Sequence, residues 1–210
     1  MKIIGFSAGA IGRKTNVDRM VKTIMDESGF EAEFVKLTDL NYSGCKGCAN
    51  LCAEPQECRL KDDLYPYYKK IKEADAVVVG SPIYFGSINA MTISFLERFF
   101  GYRHVNNTIA GKPFVLAVSG GGFLEKIEEQ FNRLLDPFDV EILEFVKYES
   151  GIMPCFKCGR HQECKIGGAY HKYGEEVFDM DITQDMFNAW EDNPQILSQV
   201  ENAVKKLKDI

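Results

Sequence analysis

Apolar residues along this chain fall into short continuous runs, separated by stretches in which they recur every three or four positions. The run "KIIGFSAG" (residues 2–9) is closed by glycine and predicts a buried strand. In "TNVDRMVKTIMDESGF", Val17, Met20, Val21 and Ile24 share one helical face. "EAEFVKL" (31–37) alternates and predicts a second strand, and "DDLYPYYKKIKEA" a helix entered through Asp62 and Asp63. "ADAVVVGSPIYFGS" is the clearest strand, over 76–80, running into a loop. "SINAMTISFLERFF" predicts a helix, "KPFVLAVSGGG" a strand ending in three glycines, "FLEKIEEQFNRLLDPF" a helix and "VEILEFVKYE" a fifth strand. Beyond Glu149 the pattern is irregular until "NPQILSQVENAVKKLKDI", a closing helix with Asn193 as its cap and Pro194 at its first position.

Strands alternate with helices five times, which implies a parallel sheet with helices on both faces. The expected unit is one domain over 1–210, with a core over 1–148 and a cysteine-bearing tail and final helix over 149–210. A chain of 210 residues, 45% hydrophobic and 27% charged, is long enough for one buried core. The net charge of −6 argues against nucleic acid as a partner, because phosphate binding needs a basic face. No apolar run reaches the roughly 18 residues of a membrane span. The start "MKIIGFSAGAIG" lacks the pattern of a signal peptide, so the expected location is the cytoplasm. Thiols are kept reduced there, and clustered cysteines read first as metal, cluster or redox ligands.

Ligands of such a sheet bind beyond the carboxyl ends of its strands. After the first strand, "SAGAIGRKTN" offers small residues, two cations and a Thr-Asn pair opening a helix, a composition suited to phosphate. It is neither a Walker A loop nor a G-x-G-x-x-G. After the third strand, "GSPIYFGSINA" combines permissive Gly and Ser with the flat rings of Tyr84 and Phe85. "SGGGF" after the fourth strand is a third permissive loop, and together the three suit a planar, phosphorylated ligand.

With these loops the chain resembles the flavodoxin-like NAD(P)H-dependent FMN reductase family across about residues 1–148. "GFSAGAIGRKTNVDRMV" is similar to that family's phosphate-wrapping first loop, and "ADAVVVGSPIYFGSINAMTISFLER" to its flavin-holding motif. The resemblance implies a flavodoxin-like three-layer sandwich, its five-stranded parallel sheet in the order 2-1-3-4-5, with FMN as cofactor and NAD(P)H as electron donor. It places Ser7, Arg13, Lys14, Thr15 and Asn16 at the phosphate. Pro82, Ile83, Tyr84, Phe85 and Gly86 fall at the flavin, with Ser119, Gly120, Gly121 and Gly122 on its far side. The first loop departs from the family's G-S-P-R pattern, carrying Ala8 and Gly9 in place of the Pro and Arg.

Seven cysteines fall into two groups. Cys45, Cys48, Cys52 and Cys58 lie in "SGCKGCANLCAEPQECRLKDD", a spacing that suits an Fe–S cluster, zinc, or unliganded redox thiols. The iron-sulfur flavoprotein branch of the family carries a compact four-cysteine motif in this loop. By that resemblance the four would bind a [4Fe–4S] cluster, with one extra residue here between the second and third cysteines. Cys155, Cys158 and Cys164, with His161 among them, suit a zinc knuckle or a second cluster site, although His161 reads rather as an exposed loop residue. His104 and His171 read as structural or surface residues. In the expected strand order the two cysteine groups follow opposite edge strands, roughly 19 Å apart, so within one subunit a single metal would not serve both unless a loop crosses the edge; a partner subunit could bring them together.

The functional expectation is an FMN-dependent NAD(P)H oxidoreductase or electron-transfer flavoprotein, exchanging electrons with a small redox carrier or a protein. No acid, base or nucleophile constellation stands out, and flavin redox chemistry requires none. The alternative is a non-catalytic, metal- or redox-sensing flavodoxin-fold binding protein. The apolar surplus of "NAMTISFLERFFGY" predicts a homodimer or homotetramer.

Overall fold

In the computed structural model, which describes residues 1–210, the strands are β1 (Lys2–Ser7), β2 (Glu31–Lys36), β3 (Ala76–Tyr84), β4 (Ser87–Ile88), β5 (Pro113–Gly120) and β6 (Glu141–Glu149). The five long strands are parallel and run in the order β2-β1-β3-β5-β6. Setting the two-residue β4 aside, this is the expected 2-1-3-4-5. The addition is a hairpin, in which β4 folds back antiparallel on the end of β3. The helices are α1 (Asn16–Ser28), α2 (Ala49–Cys52), α3 (Tyr65–Glu73), α4 (Ala90–Glu97), α5 (Leu124–Leu135), α6 (Pro154–Cys158), α7 (Gly168–Tyr173) and α8 (Pro194–Lys208). No helix is long and apolar enough to cross a membrane.

Continuous apolar strands supply two cores, because successive side chains point to opposite faces of a sheet. From β3 and β5, Val77, Val79, Phe114, Leu116 and Val118 face the side covered by α3, α4 and α5. Val78, Val115 and Ala117 face α1 and α8. Gly80 allows α1 to lie close to the sheet, since a β-carbon there would come within 2.5 Å of Val21. α8 begins as its sequence predicts: the Asn193 side chain accepts hydrogen bonds from the N–H groups of Gln195 and Ile196, with Pro194 at the first position.

Two expectations change. α3 starts at Tyr65 and is not capped by Asp62 or Asp63. Asp62 is drawn instead into a bidentate pair with the Arg98 guanidinium at 2.6 and 2.8 Å, and Asp63 accepts the Asn41 N–H at 2.7 Å. A carboxylate gains more from a cation than from a helix dipole alone. The aromatic surplus of "NAMTISFLERFFGY", over α4 and the turn after it, is also largely consumed within the chain. Phe95, Phe99 and Tyr102 are buried among Tyr68, Phe114 and Phe138, which leaves Phe100 as the exposed ring of that stretch.

Candidate flavin site and cysteine loop

The first loop is built around a carboxylate. Thr15 caps α1, and Asp18, three residues on, accepts from the Thr15 backbone N–H at 2.7 Å and its hydroxyl at 2.8 Å. Asp18 also accepts from the Ser7 hydroxyl at 2.7 Å and pairs with Lys36 at 2.9 Å. Ser7 is therefore fully buried behind the loop, holding its base. A side chain at Gly9 would meet the Asp18 carboxylate at 2.5 Å, which explains the absence of a longer residue there. On the other side, the buried Asn89 side chain caps α4 and donates to the Ala8 carbonyl at 3.3 Å, tying the first loop to the hairpin.

The hairpin turns through Phe85 (φ 52°) and Gly86 (φ 68°), the two positive-φ positions of a type I′ turn. Gly suits its place; Phe85 is held there at a cost in strain, with its ring fully in solvent. Gln130 of α5 fastens the hairpin by accepting the Ile88 N–H at 2.9 Å. Gly120 allows the end of β5 to pass Ile83, since a β-carbon there would stand 2.5 Å from it.

A cavity of about 470 Å³ opens between these loops, within the range of small-molecule and cofactor sites. Of the residues expected at a flavin, Arg13, Lys14, Thr15, Asn16, Pro82, Ile83, Tyr84, Ser119, Gly120 and Gly121 line it. Ser7, Phe85, Gly86 and Gly122 do not. The tail forms the facing wall with Ser150, Ile152, Pro154, Lys157, Gln184, Phe187, Asn188 and Ala189. It is anchored to the start of α1, where Arg19 pairs with Glu191 at 2.5 and 3.0 Å and Asn16 bonds to the backbone at Asn188 and Trp190. Sequence periodicity could not reveal this wall, because its residues come from irregular segments.

One end of the cavity is strongly cationic. Arg13, Lys14 and Lys157 make no ion pair, whereas Arg19 is neutralised by Glu191. Partial burial, then the charges of Arg13 and Arg19, hold the Lys157 pKa below that of an ordinary lysine. Uncompensated cations beside a helix N-terminus form a site for an anion. These features fit the phosphate and planar ring of FMN.

The cysteine loop hangs on Arg98, which is 1% exposed. Besides Asp62, the guanidinium donates to Cys58 Sγ at 3.1 Å and to the Leu60 carbonyl at 3.1 Å, and lies 4.9 Å above the Tyr68 ring. Burial alone would lower the Arg98 pKa, but Asp62, Tyr68 and Cys58 raise it above its ordinary value. Cys52 and Cys58 are buried, Cys48 is half-buried and Cys45 exposed. Burial, then Cys48, Cys58 and Cys45, push the Cys52 thiol pKa up. His104, read as a structural or surface residue, faces this group, with Nε2 at 3.0 Å from Cys52 Sγ. The donor set is right for a cluster in number and chemistry. The side chains are not drawn around one point: nowhere do three Cys, His, Asp or Glu groups converge to hold a single ion.

In the tail, His161 departs from expectation. It is buried, with Nε2 2.8 Å from the Met180 carbonyl, because the turn after α6 folds it under the chain.

Residues 1–135 match the family described as NADPH-dependent FMN reductase. An iron-sulfur flavoprotein of Methanocaldococcus jannaschii is 34% identical over 140 residues, 64% of this chain and 72% of that protein. One from Archaeoglobus fulgidus is 29% identical over 145 residues, 67% of this chain and 64% of that protein. Among solved structures, an NADH:FMN oxidoreductase superposes with a TM-score of 0.58 at 14% identity, covering 99% of this chain and 88% of its own. An azoreductase from Bacillus anthracis gives 0.56 at 13% identity, covering 100% and 99%. The structures show a shared fold and the sequence matches a shared descent: this chain belongs to the NADPH-dependent FMN reductase family, in its iron-sulfur flavoprotein branch, a group of flavin-dependent oxidoreductases.

Proposed function

We propose that the protein is an FMN-dependent oxidoreductase that takes electrons from NAD(P)H or a redox partner and carries a [4Fe–4S] cluster beside the flavin. The observation that carries the flavin reading is the unpaired cation group of Arg13, Lys14 and Lys157 at one end of a cavity bounded by three permissive loops. FMN, when bound, supplies the hydride- and electron-accepting chemistry. The chain's own work is positional. Arg13, Lys14, Thr15 and Asn16, joined by Lys157, hold the phosphate, while Asp18 and Ser7 fix the loop that presents them. Pro82, Ile83 and Tyr84 form one side of the ring slot, with Ser119, Gly120 and Gly121 opposite, and the tail excludes water.

Cys45, Cys48, Cys52 and Cys58 would hold the cluster, which supplies one-electron transfer. Arg98 donates to the Cys58 sulfur, the kind of outer contact that tunes such a centre. A second copy of the chain would pack over the exposed rings of Tyr84, Phe85 and Phe123 beside the cavity, giving a homodimer or homotetramer.

The test is cofactor analysis of anaerobically purified protein. Near four irons and one FMN per chain are expected by the cluster chemistry. Cys48→Ser should remove the iron and its absorbance while FMN stays bound. Iron near zero in the wild type refutes the cluster, and absence of flavin refutes the cavity assignment.

A further inference from the structure

Between β6 and α8 the chain has little to hold it together. α6 has five residues and α7 six, and much of the remainder forms 3₁₀ turns. The segment's own buried cluster is three side chains, Phe156, Ala169 and Val177, ringed by partly buried ones such as Tyr170 and Phe178, and Trp190 anchors its end in the core facing α1 and α8. Units so poor in buried apolar surface are ordinarily stapled by disulfides or a metal, and no disulfide joins any of the seven cysteines.

The staple's parts lie in "CFKCGRHQEC". Cys155 and Cys158 form a C-x-x-C turn, and Gly159 after them is left-handed (φ 74°), its N–H returning to the Cys155 carbonyl at 3.1 Å. That reversal brings the following residues back over α6. The sulfurs of Cys155 and Cys164 lean on the same empty space at Gly167, where a β-carbon would stand 2.8 and 3.2 Å from them. They are thus no more than about 6 Å apart, against roughly 3.8 Å for two thiolates on one tetrahedral zinc. The Ala169 N–H also points at Cys155 Sγ, at 3.4 Å.

His161 supplies an independent observation. It is 9% exposed, and its Nε2 faces a carbonyl, which can only accept, so Nε2 bears the proton. In the neutral ring Nδ1 then keeps its lone pair, and this atom is buried with no partner. A backbone carbonyl fixing one ring nitrogen while the other stays free is the arrangement of a metal-bound histidine. A Cys155–Cys164 dithiol pair would leave that buried nitrogen unexplained.

We propose that Cys155, Cys158, Cys164 and Nδ1 of His161 bind a structural zinc ion that staples the tail over the cavity. Three thiolates and one imidazole are a standard closed zinc set. Binding releases the thiol protons and involves no redox step. In this structure, as in the first cysteine group, the four groups do not converge on one point, and Cys158 is exposed; the site closes when Cys158 swings inward from the C-x-x-C turn and the other donors draw together.

The test uses the full chain. Metal analysis should find about one zinc per chain, retained in a Cys45→Ser/Cys48→Ser variant that has lost its iron. Cys158→Ser/Cys164→Ser should drop zinc below about 0.1 per chain and leave iron unchanged. His161→Ala should weaken zinc binding at least about tenfold, and His161→Cys, which completes four thiolates, should restore it. Should the tail variants fail to fold, Co²⁺ added to zinc-stripped wild-type chain must give tetrahedral visible bands with thiolate charge transfer. Protease should then cut residues 150–193 faster in the stripped protein than in the reloaded one. Wild-type protein without zinc and without that Co²⁺ spectrum overturns the proposal. So does zinc indifferent to the tail variants, additional iron bound at the tail, or a native Cys155–Cys164 disulfide.

Discussion

The two cysteine-bearing segments rest on different supports. The loop of Cys45 to Cys58 carries Cys58 into the main hydrophobic core and is locked by Arg98 to Asp62, Leu60 and Cys58. The tail's own buried cluster is small, Phe156, Ala169 and Val177, and it touches the rest of the fold through Trp190, Arg19, Asn16 and the cavity wall. In the first segment the polypeptide orders the thiols; in the second, the thiols must help to order the polypeptide. The β2 edge and the β6 edge are also opposite sides of the sheet. The neighbours that perturb Cys52 are all from its own group.

The largest expected effect breaks the stronger support. Arg98→Ala leaves Asp62 and the Cys58 sulfur without their buried cation and should cost about 3–5 kcal/mol in urea unfolding. An effect under about 1 kcal/mol, the worth of a surface pair, would show that the Cys45 to Cys58 loop is no better anchored than the tail.

A middle-sized effect probes the tail as a wall. Lys157→Ala should weaken FMN binding about 10- to 100-fold, since a charge-assisted hydrogen bond is worth roughly 1.5–3 kcal/mol. Riboflavin, which lacks the phosphate, should bind equally to both proteins, and an equal loss for both ligands would refute a phosphate role. The same lysine sets a pH dependence. With its pKa held down by burial, Arg13 and Arg19, it loses its proton at lower pH than a free lysine. FMN affinity should therefore fall as pH rises toward that range, and Lys157→Arg, which keeps its charge, should flatten the fall.

The smallest effect tests the tail's attachment. Arg19 and Glu191 are each about one-third exposed. Arg19→Met should lower global stability by no more than about 1 kcal/mol, while measurably speeding proteolysis within 150–193. A large global loss would mean that the tail is integral to the main core, and the comparison would fail.

Much of the fold was legible because its signals are local. Apolar runs ending in glycine marked β1, β3 and β5, and Asn193-Pro194 marked the start of α8. Much of the cavity's sheet-side wall was legible because ligand loops follow strand ends. What was missed depends on distant partners. Asp62 looked like a cap until Arg98, 36 residues on, claimed it. His161 looked like a loop residue, yet it is buried against Met180, and the apolar stretch after α4 suggested a subunit contact while its rings fill the chain's own core. Lys157 gave no signal at all, because its meaning lies in lining, together with Arg13, a cavity that irregular segments help to enclose.

By itself the sequence determined the succession of strands and helices along the chain, the permissive loops and the two sets of thiols, because side-chain period, glycine and residue spacing act within a few positions of the chain. Only the tertiary structure decided which cations stay unpaired, which carboxylate is taken, and that the tail closes the cavity. Charge pairing and burial depend on groups that meet through space, and no local pattern encodes which ones will.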